Sequence, residues 1–398
     1  MKVDHLLTFI NTQYKWRLAI TMKGSVKKRG KTYQYVVDVG IDPFTGKRKQ
    51  KTKGGFKRQK DAQAALNKVL HEIDEQGYVE PSKEIFASFI ESWFTSHFEK
   101  RIKETTASNA QSLINKHLIR ENPFANKPLS KITTEDIDAF YNLKIDEEYS
   151  SSYIRKMHQM LSQAFNQAIK WKRIKSNPVN DADPPAVKKE EMKIWSFAEI
   201  NEFLEHCEGE RHYLTFLLAI YTGLRRGEIL GLKWSDVDFV NKTINVHRSL
   251  AYIPKKGYVL TSTKTRKSNR IVPISDMVLN TLVTYRKQQG MYKEQLGELY
   301  QDEDLVICTE TGSKQDPRNV LRALKRLITT SGVTQIRFHD FRHTHASILI
   351  SKGVDVVKVS KRLGHANAKI TLETYAHLIP NEDNDLADIF EKALEKIS

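Results

Sequence analysis

The sequence predicts a multidomain chain, mainly α with small β-sheets. An N-terminal β-sheet-plus-helix domain comes first, a helical domain second, and a mixed α+β domain third. Three observations carry this prediction. At 398 residues the chain exceeds one ordinary domain. Its hydrophobic pattern changes from strand alternation to helical spacing and then to a mixture of both. Its charge is also segregated: residues 1–60 hold 16 Lys/Arg against 3 Asp/Glu, whereas the other 338 hold 48 against 45. A strongly basic segment ahead of a nearly neutral body marks a separate polyanion-binding module.

Residues 1–21 form an N-terminal extension without a clear purpose, and Met22 is an alternative start. In "KTYQYVVDVG", Tyr33, Tyr35, Val37 and Val39 alternate as in a strand, and "DPFTG" (42–46) supplies turn residues. "KRKQKTKGGF" then sets Lys47, Lys49, Lys51 and Lys53 at alternate positions, so that all four project from one face of a hairpin. A β-ribbon of this kind fits the DNA major groove, with its lysines meeting phosphates. The next segment carries Ala62, Ala65, Leu66, Val69 and Ile73 as a helical stripe that packs on the sheet. The expected unit is a three-stranded sheet plus helix over 22–80.

Residues 84–176 read as helical. "IFASFIESWFTSHF" and "SSYIRKMHQMLSQAFNQAIKW" repeat apolar residues at helical spacing, and "TTEDIDAFYNL" opens with acids in its first turn. Arg155, Lys156 and Lys172 are candidate phosphate contacts on this unit, against the alternative of a solvated face. "SNPVNDADPPAVKK", with three prolines, cannot continue a helix, and a linker is expected over 177–190. The third domain, 191–382, opens on the capping box Ser196–x–x–Glu199, and "KTINVHRSL" and "RIVPI" have strand character. At the end, Leu386, Ile389, Phe390, Ala393, Leu394 and Ile397 form an apolar helical stripe over 383–398.

Four segments of the third domain set polar residues in apolar surroundings. In "FLLAIYTGLRRGEILGL", Arg225 needs an anion to be buried, either Glu228 or a ligand phosphate. "TSTKTRKSNRIVPI" is a basic turn with Lys264, Arg266, Lys267 and Arg270, most of which would only solvate a hairpin. In "FHDFRHTHASIL", His339 and Arg342 share a helix face. His339 and His343 have the spacing of a zinc helix, but no HExxH glutamate accompanies them and Arg342 would repel a dication, so no metal is expected. In "LGHANAKITLETYAHL", Tyr375 stands between His365 and His377 and on its own reads as core filler.

Other classes are excluded more simply. Two cysteines cannot build a disulfide framework or a thiolate cluster, which fits a reducing compartment. No apolar run reaches the roughly 18 residues needed to cross a bilayer, and the first 20 residues lack a signal-peptide pattern.

Taken in order, TGLRRGE, Lys264 in a hairpin, HDFR, LGH and ETY resemble the tyrosine recombinases of the phage integrase family, as does the three-domain layout. The layout is similar to the arm-binding integrases of phages and conjugative transposons. The resemblance implies that Tyr375 attacks a DNA phosphodiester to form a 3′-phosphotyrosine, followed by exchange through a Holliday junction, with integration and excision of a mobile element as the outcome. It implies that Arg225 and Arg342 grip phosphate oxygens, Lys264 acts as general acid, His339 is the acid–base partner of the tyrosine, and His365 donates to phosphate. Glu228 would support Arg225, whereas His343, His345 and His377 match no role and read as packing or surface residues. Each transesterification conserves bond energy, so neither ATP nor a cofactor is expected. Double-stranded DNA with core-type and arm-type sites, a homo-tetramer on DNA, an excisionase and a host DNA-bending protein are the implied partners. The implied location is the bacterial cytoplasm, at the nucleoid. The 383–398 helix is expected to dock on a neighbouring protomer. A type IB-like topoisomerase and a catalytically inactive DNA-binding regulator are the alternative readings.

Overall fold

The computed structural model describes residues 24–41, 48–76, 82–187, 192–262, 268–379 and 391. The N-terminal extension, the DPFTG turn with Lys47, the basic turn with Lys264, Arg266 and Lys267, and the apolar stripe 386–397 lie outside the described residues. Contacts divide the chain into two units, residues 1–102 with 109–188, and residues 103–108 with 189–398.

Alternation builds the first sheet. Strands β1 (Gly24–Arg29), β2 (Thr32–Ile41) and β3 (Arg48–Phe56) pair antiparallel in that order, and helix α1 (Gln59–Gln76) covers one face. Tyr35, Val37, Leu66 and Ile73 are buried there with Val26 and Phe56 packed around them. Paired residues of an antiparallel sheet share a face, and Lys51 lies opposite Val37 and Lys53 opposite Tyr35. Lys51 and Lys53, expected to face DNA, therefore project on the helix-covered side. The opposite, open face carries Lys27 and Arg29 from β1, Gln34, Val36 and Asp38 from β2, and Arg48, Gln50 and Thr52 from β3. Of the four lysines that the sequence pattern groups, Lys51 and Lys53 share one face. The pattern could not reveal which side the helix takes.

The helical domain consists of α2 (Phe86–Trp93, continued by a π-turn over Phe94–Phe98), α3 (Glu104–Leu113), α4 (Thr134–Asp146) and α5 (Ser151–Lys170). Phe86, Phe124 and Phe165 form its aromatic centre, with ring centroids 5.1 and 5.6 Å from Phe86. Thr133 caps α4 through a reciprocal bond with Asp136, the acid predicted for its first turn. Fully buried Lys144 is satisfied by Glu121 at 2.9 Å and Glu147 at 2.7 Å. The predicted linker starts too early. Val179 is completely buried, Asn177 binds the Ser162 carbonyl and Asn166, and Thr134 binds the Pro178 carbonyl, so 177–182 packs on this domain. Prolines end a helix, but they do not detach the chain that follows.

The third domain starts at α6 (Phe197–His206), capped by the predicted Ser196–Glu199 box. Then come α7 (Tyr213–Thr222), α8 (Arg226–Leu230), β4 (Val237–Asp238), β5 (Thr243–Val246), β6 (Arg248–Ile253), β7 (Gly257–Ser262), β8 (Arg270–Pro273), α9 (Asp276–Leu296), α10 (Pro317–Ser331), α11 (Asp340–Ser351), α12 (Val356–Leu363) and α13 (Ala368–Tyr375). Strands β4, β5 and β8 form one sheet and β6–β7 a hairpin. Helix α7 is apolar all round because it is the buried centre, with Leu214, Phe216, Leu217, Leu218 and Ala219 fully enclosed. No described helix is long and apolar enough to cross a membrane.

Candidate active site

Thr222–Glu228 folds as its sequence dictates. The Thr222 hydroxyl donates back to the Leu218 carbonyl, and Gly223 ends α7 with φ +66°. A Cβ on Gly223 would stand 2.8 Å from Leu363 and 2.9 Å from His345, so neither the backbone nor the packing admits a side chain. The chain then extends through Arg225, which serves as N-cap of α8. Glu228, at the third helical position, accepts the Arg225 backbone N–H at 3.0 Å and its Nη1 at 2.8 Å. Helix α8 lies flush on β6, where a Cβ on Gly227 would come within 2.4 Å of Ser249 Oγ.

Glu228 is 4% exposed and serves a second cation that sequence reasoning assigned to hairpin solvation. Arg270 forks onto it at 2.8 and 3.3 Å with its own side chain only 6% exposed. Burial works against the charged carboxylate, but Arg270 and Arg225 outweigh it and hold the Glu228 carboxyl below the usual range. Arg270 Nε donates to the Arg362 carbonyl at 2.7 Å. Its signal in sequence was its place at the start of an apolar strand, four residues before Ile274, beyond the cluster of hairpin cations.

Arg342, on α11, is 2% exposed and donates to two carbonyls, those of Gly223 and Leu363. No carboxylate bonds to it among the described residues. Burial first, then the charges of Arg225 and Arg270, pull its guanidinium down to about 9, so it stays charged at neutral pH. Arg342 is thus a buried cation whose bonds go to neutral oxygens, the state that an anionic ligand completes.

Around it stand the histidines. His339 caps α11, and burial of its ring with the charges of His343, Arg342 and Arg225 pushes it down to about 4, although its outer side faces solvent. His365 follows the left-handed Gly364, and its Nδ1 meets Thr371 Oγ1 at 2.7 Å; burial and Arg342 push it down to about 4 as well. His345 belongs to the scaffold, bonding the Ile220 carbonyl at 2.9 Å and Arg362 at 3.0 Å. His377 is exposed.

Tyr375 ends α13. It is 2% exposed, packed with Ala346, Ile350, Val359 and Leu363, and burial pushes its phenol up to about 12 despite Arg342 nearby. Its hydroxyl lies 2.6 Å from His343 Nδ1. The two readings of Tyr375 are therefore compatible: the ring is core and the hydroxyl faces the site. The expected partner of that hydroxyl was His339, but among the described residues no hydrogen bond joins the two. His343, taken as packing or surface, occupies that place. Its position one residue after Arg342 was visible in "FRH"; which histidine faces α13 depends on the helix phase that only the packing sets.

The site thus brings together Arg225, Glu228, His339, Arg342, His365 and Tyr375, with Arg270 and His343 added. Lys264 lies outside the described residues. Among the described residues no three His, Cys, Asp or Glu side chains are arranged to hold a metal ion. Elsewhere, Arg155 donates to the Pro185 carbonyl at 2.8 Å and lies exposed, Lys156 stands over the Tyr153 ring, and Lys172 is exposed.

Comparisons with known proteins identify the family and the fold. A model described as the phage integrase family matches residues 193–382, an arm DNA-binding domain matches 25–73, and a phage integrase N-terminal SAM-like domain matches 85–145. The chain is 30% identical over 368 residues to the ICEBs1 integrase of Bacillus subtilis (strain 168), covering 92% of this chain and 98% of that one. It is also 30% identical to a XerC-like tyrosine recombinase of Caldanaerobacter subterraneus subsp. tengcongensis, over 92% and 97% of the two chains. Among solved structures, the Tn1549 transposon integrase with circular intermediate DNA aligns with a TM-score of 0.66 at 19% identity, covering 77% of this chain and 99% of that one. A lambda integrase tetramer bound to a Holliday junction aligns at 0.53 and 22%, covering 88% and 96%.

Proposed function

The chain belongs to the phage integrase family and is a site-specific tyrosine recombinase of the mobile-element kind, and we propose that Tyr375 is its nucleophile and that Arg225 and Arg342 clamp the scissile phosphate. The observation that carries this reading is Arg342, a buried guanidinium that among the described residues bonds only to carbonyls, near the hydroxyl of Tyr375.

The chemistry follows from the charges. Attack on a phosphodiester builds negative charge on the non-bridging oxygens, and guanidinium forks match those oxygens bidentately. Fixed cations aimed at developing charge stabilise it without reorganisation. Glu228 then holds Arg225 from behind while Arg225 presents its half-exposed end to the ligand. His365, fixed by Thr371, donates to a phosphate oxygen through Nε2. Lys264 protonates the departing 5′-oxygen, and His339 contributes at the rim of the site.

The chain is further proposed to divide into an arm-binding unit (22–80), a core-binding unit (from 84 to the early 180s) and a catalytic unit (191–382), with 383–398 docking on a neighbouring protomer of a tetramer. The relative crystallised as a tetramer on a Holliday junction supports that assembly. The open sheet face, with Lys27, Arg29, Arg48, Gln50 and Thr52, would meet the arm site. Its long polar side chains reach both phosphates and base edges. Arg155, Lys156 and Lys172 would meet core-site phosphates. An excisionase and a host DNA-bending protein complete the proposed partners.

The test is a suicide substrate nicked beside the cleavage position. The wild-type chain should become covalently joined to the DNA, and Tyr375→Phe should abolish the adduct. An adduct that persists with phenylalanine places the nucleophile elsewhere.

A further inference from the structure

We infer that His343 is the group that takes the proton from Tyr375 as its oxygen attacks phosphorus, an inference that rests on Tyr375 being the nucleophile. The geometry is a contact at hydrogen-bond distance between reacting atoms: His343 Nδ1 lies 2.6 Å from Tyr375 Oη, with the two ring centroids 5.9 Å apart. That separation meets the reach required of a general base in the resting protein.

The surroundings make His343 an acceptor. The ring is half-buried, and burial together with Arg337 and Arg342 outweighs Asp340 and keeps it below the usual histidine range, hence neutral at pH 7. A neutral imidazole has one bare nitrogen. With Nδ1 bare, the ring proton sits on Nε2 and the phenol O–H points at Nδ1.

The other candidates are either committed or out of contact. Asp340 is held by both prongs of Arg337, at 3.1 and 3.0 Å. His365 spends Nδ1 on Thr371. His339 touches the edge of the His343 ring, with centroids 5.1 Å apart, and makes no bond to Tyr375 among the described residues.

Energetics demand such an acceptor. With the phenol pushed up to about 12, only about one molecule in 10⁵ is ionised at pH 7. Transfer during attack avoids forming the free phenolate. The Tyr375 O–H bond breaks and its proton passes to Nδ1 as the oxygen–phosphorus bond forms. The bond from phosphorus to the 5′-oxygen breaks, and that oxygen takes a proton from the acid at its own end of the site. Attack by a 5′-hydroxyl reverses each transfer, and the imidazolium returns its proton to the departing tyrosine. Because neighbouring arginines disfavour the imidazolium, the entry of an anionic phosphate is what makes His343 basic enough. Proton transfer is thereby tied to bound DNA.

The experiment is single-turnover cleavage of the nicked suicide duplex by the full chain and its His343→Gln and His343→Ala variants, with DNA affinity and thermal unfolding measured in parallel. His343→Gln should bind DNA as the wild type does and cleave about 100-fold more slowly, the lower end of what general base catalysis contributes. Two further readouts separate a proton acceptor from a packing residue. A 5′-bridging phosphorothiolate, whose thiolate leaves without an acid, should not restore the rate. Placing the more acidic 3-fluorotyrosine at position 375 should speed His343→Gln by about tenfold, because an acidic phenol needs less help. Cleavage by His343→Gln within about threefold of the wild type overturns the assignment, as does full rescue by the phosphorothiolate or no gain from fluorotyrosine. If the alanine variant unfolds, the glutamine variant carries the test. An adduct that survives Tyr375→Phe sinks the nucleophile itself, a separate failure from that of His343.

Discussion

Replacing Glu228 by glutamine removes one negative charge and almost no volume. The carboxylate is 4% exposed and accepts the Arg270 fork, the Arg225 Nη1 and the Arg225 backbone N–H. The two arginines differ in what they lose. Arg270 is 6% exposed, and its remaining donors reach only carbonyls. Stranding such a cation costs about 3–5 kcal/mol. Arg225 is 39% exposed, so water screens most of its share, which is worth about 1 kcal/mol or less. For a domain of nearly 200 residues each kcal/mol moves the midpoint by roughly 2–4 °C, so Glu228→Gln should melt roughly 10 °C early. By the same reasoning Arg225→Ala should lower the midpoint by only about 3 °C, since Arg270 still neutralises Glu228. Both should lose suicide-substrate cleavage. Thermal unfolding of the full chain, read beside the cleavage assay, separates the two effects. The reasoning is refuted if Glu228→Gln melts within about 2 °C of the wild type, or if Arg225→Ala costs as much as Glu228→Gln.

Three other outcomes are expected. Thr371→Val keeps the volume but frees His365 Nδ1, so cleavage should fall about tenfold with stability nearly kept; an unchanged rate would show that His365 needs no fixing. Burial drives His345 and His365 down to about 4. Their folded values lie below the unfolded value near 6.5, so the unfolded chain binds more protons between the two, and stability, complete above pH 6.5, should drop by about 2 kcal/mol per histidine by pH 5; a flat urea midpoint from pH 7 to 5 contradicts this. On the open sheet face, Arg29→Ala with Arg48→Ala should weaken arm-site binding and lower the salt slope by about two, whereas Lys51→Ala should change it little; the opposite ranking in salt titrations would return the interface to the lysine row.

Much of this fold could be read from the chain because local signals agree with the global one. The alternation of Tyr33–Val39, the stripe from Ala62 to Ile73 and the caps at Thr133 and Ser196 each require only neighbours in sequence. Motif order brought Arg225, Arg342, His365 and Tyr375 to one site. What stayed hidden depends on phase and on distant partners. Whether His339 or His343 faces Tyr375 depends on how α11 lies against α13. Arg270 looked like one more hairpin cation because its anion, Glu228, is 42 residues away. The face bearing Lys51 and Lys53 depends on the side chosen by α1, and the packing of Val179 on a pocket that no local pattern describes.

Arg342 has a consequence for how the enzyme prepares its charge. The two carbonyls that hold its guanidinium, those of Gly223 and Leu363, stand at the C-terminal ends of α7 and α12. Those are the negative poles of two helix dipoles. Dipoles orient a cation without cancelling it, whereas a carboxylate would orient and neutralise it together. The protein keeps a full positive charge in reserve at a fixed address, which in the role proposed for Arg342 is met by the phosphate of the DNA. A clean inactive variant should therefore be sought at the Tyr375 hydroxyl. Removing Arg342 would also release the ends of two helices, and any lost activity would be mixed with lost architecture.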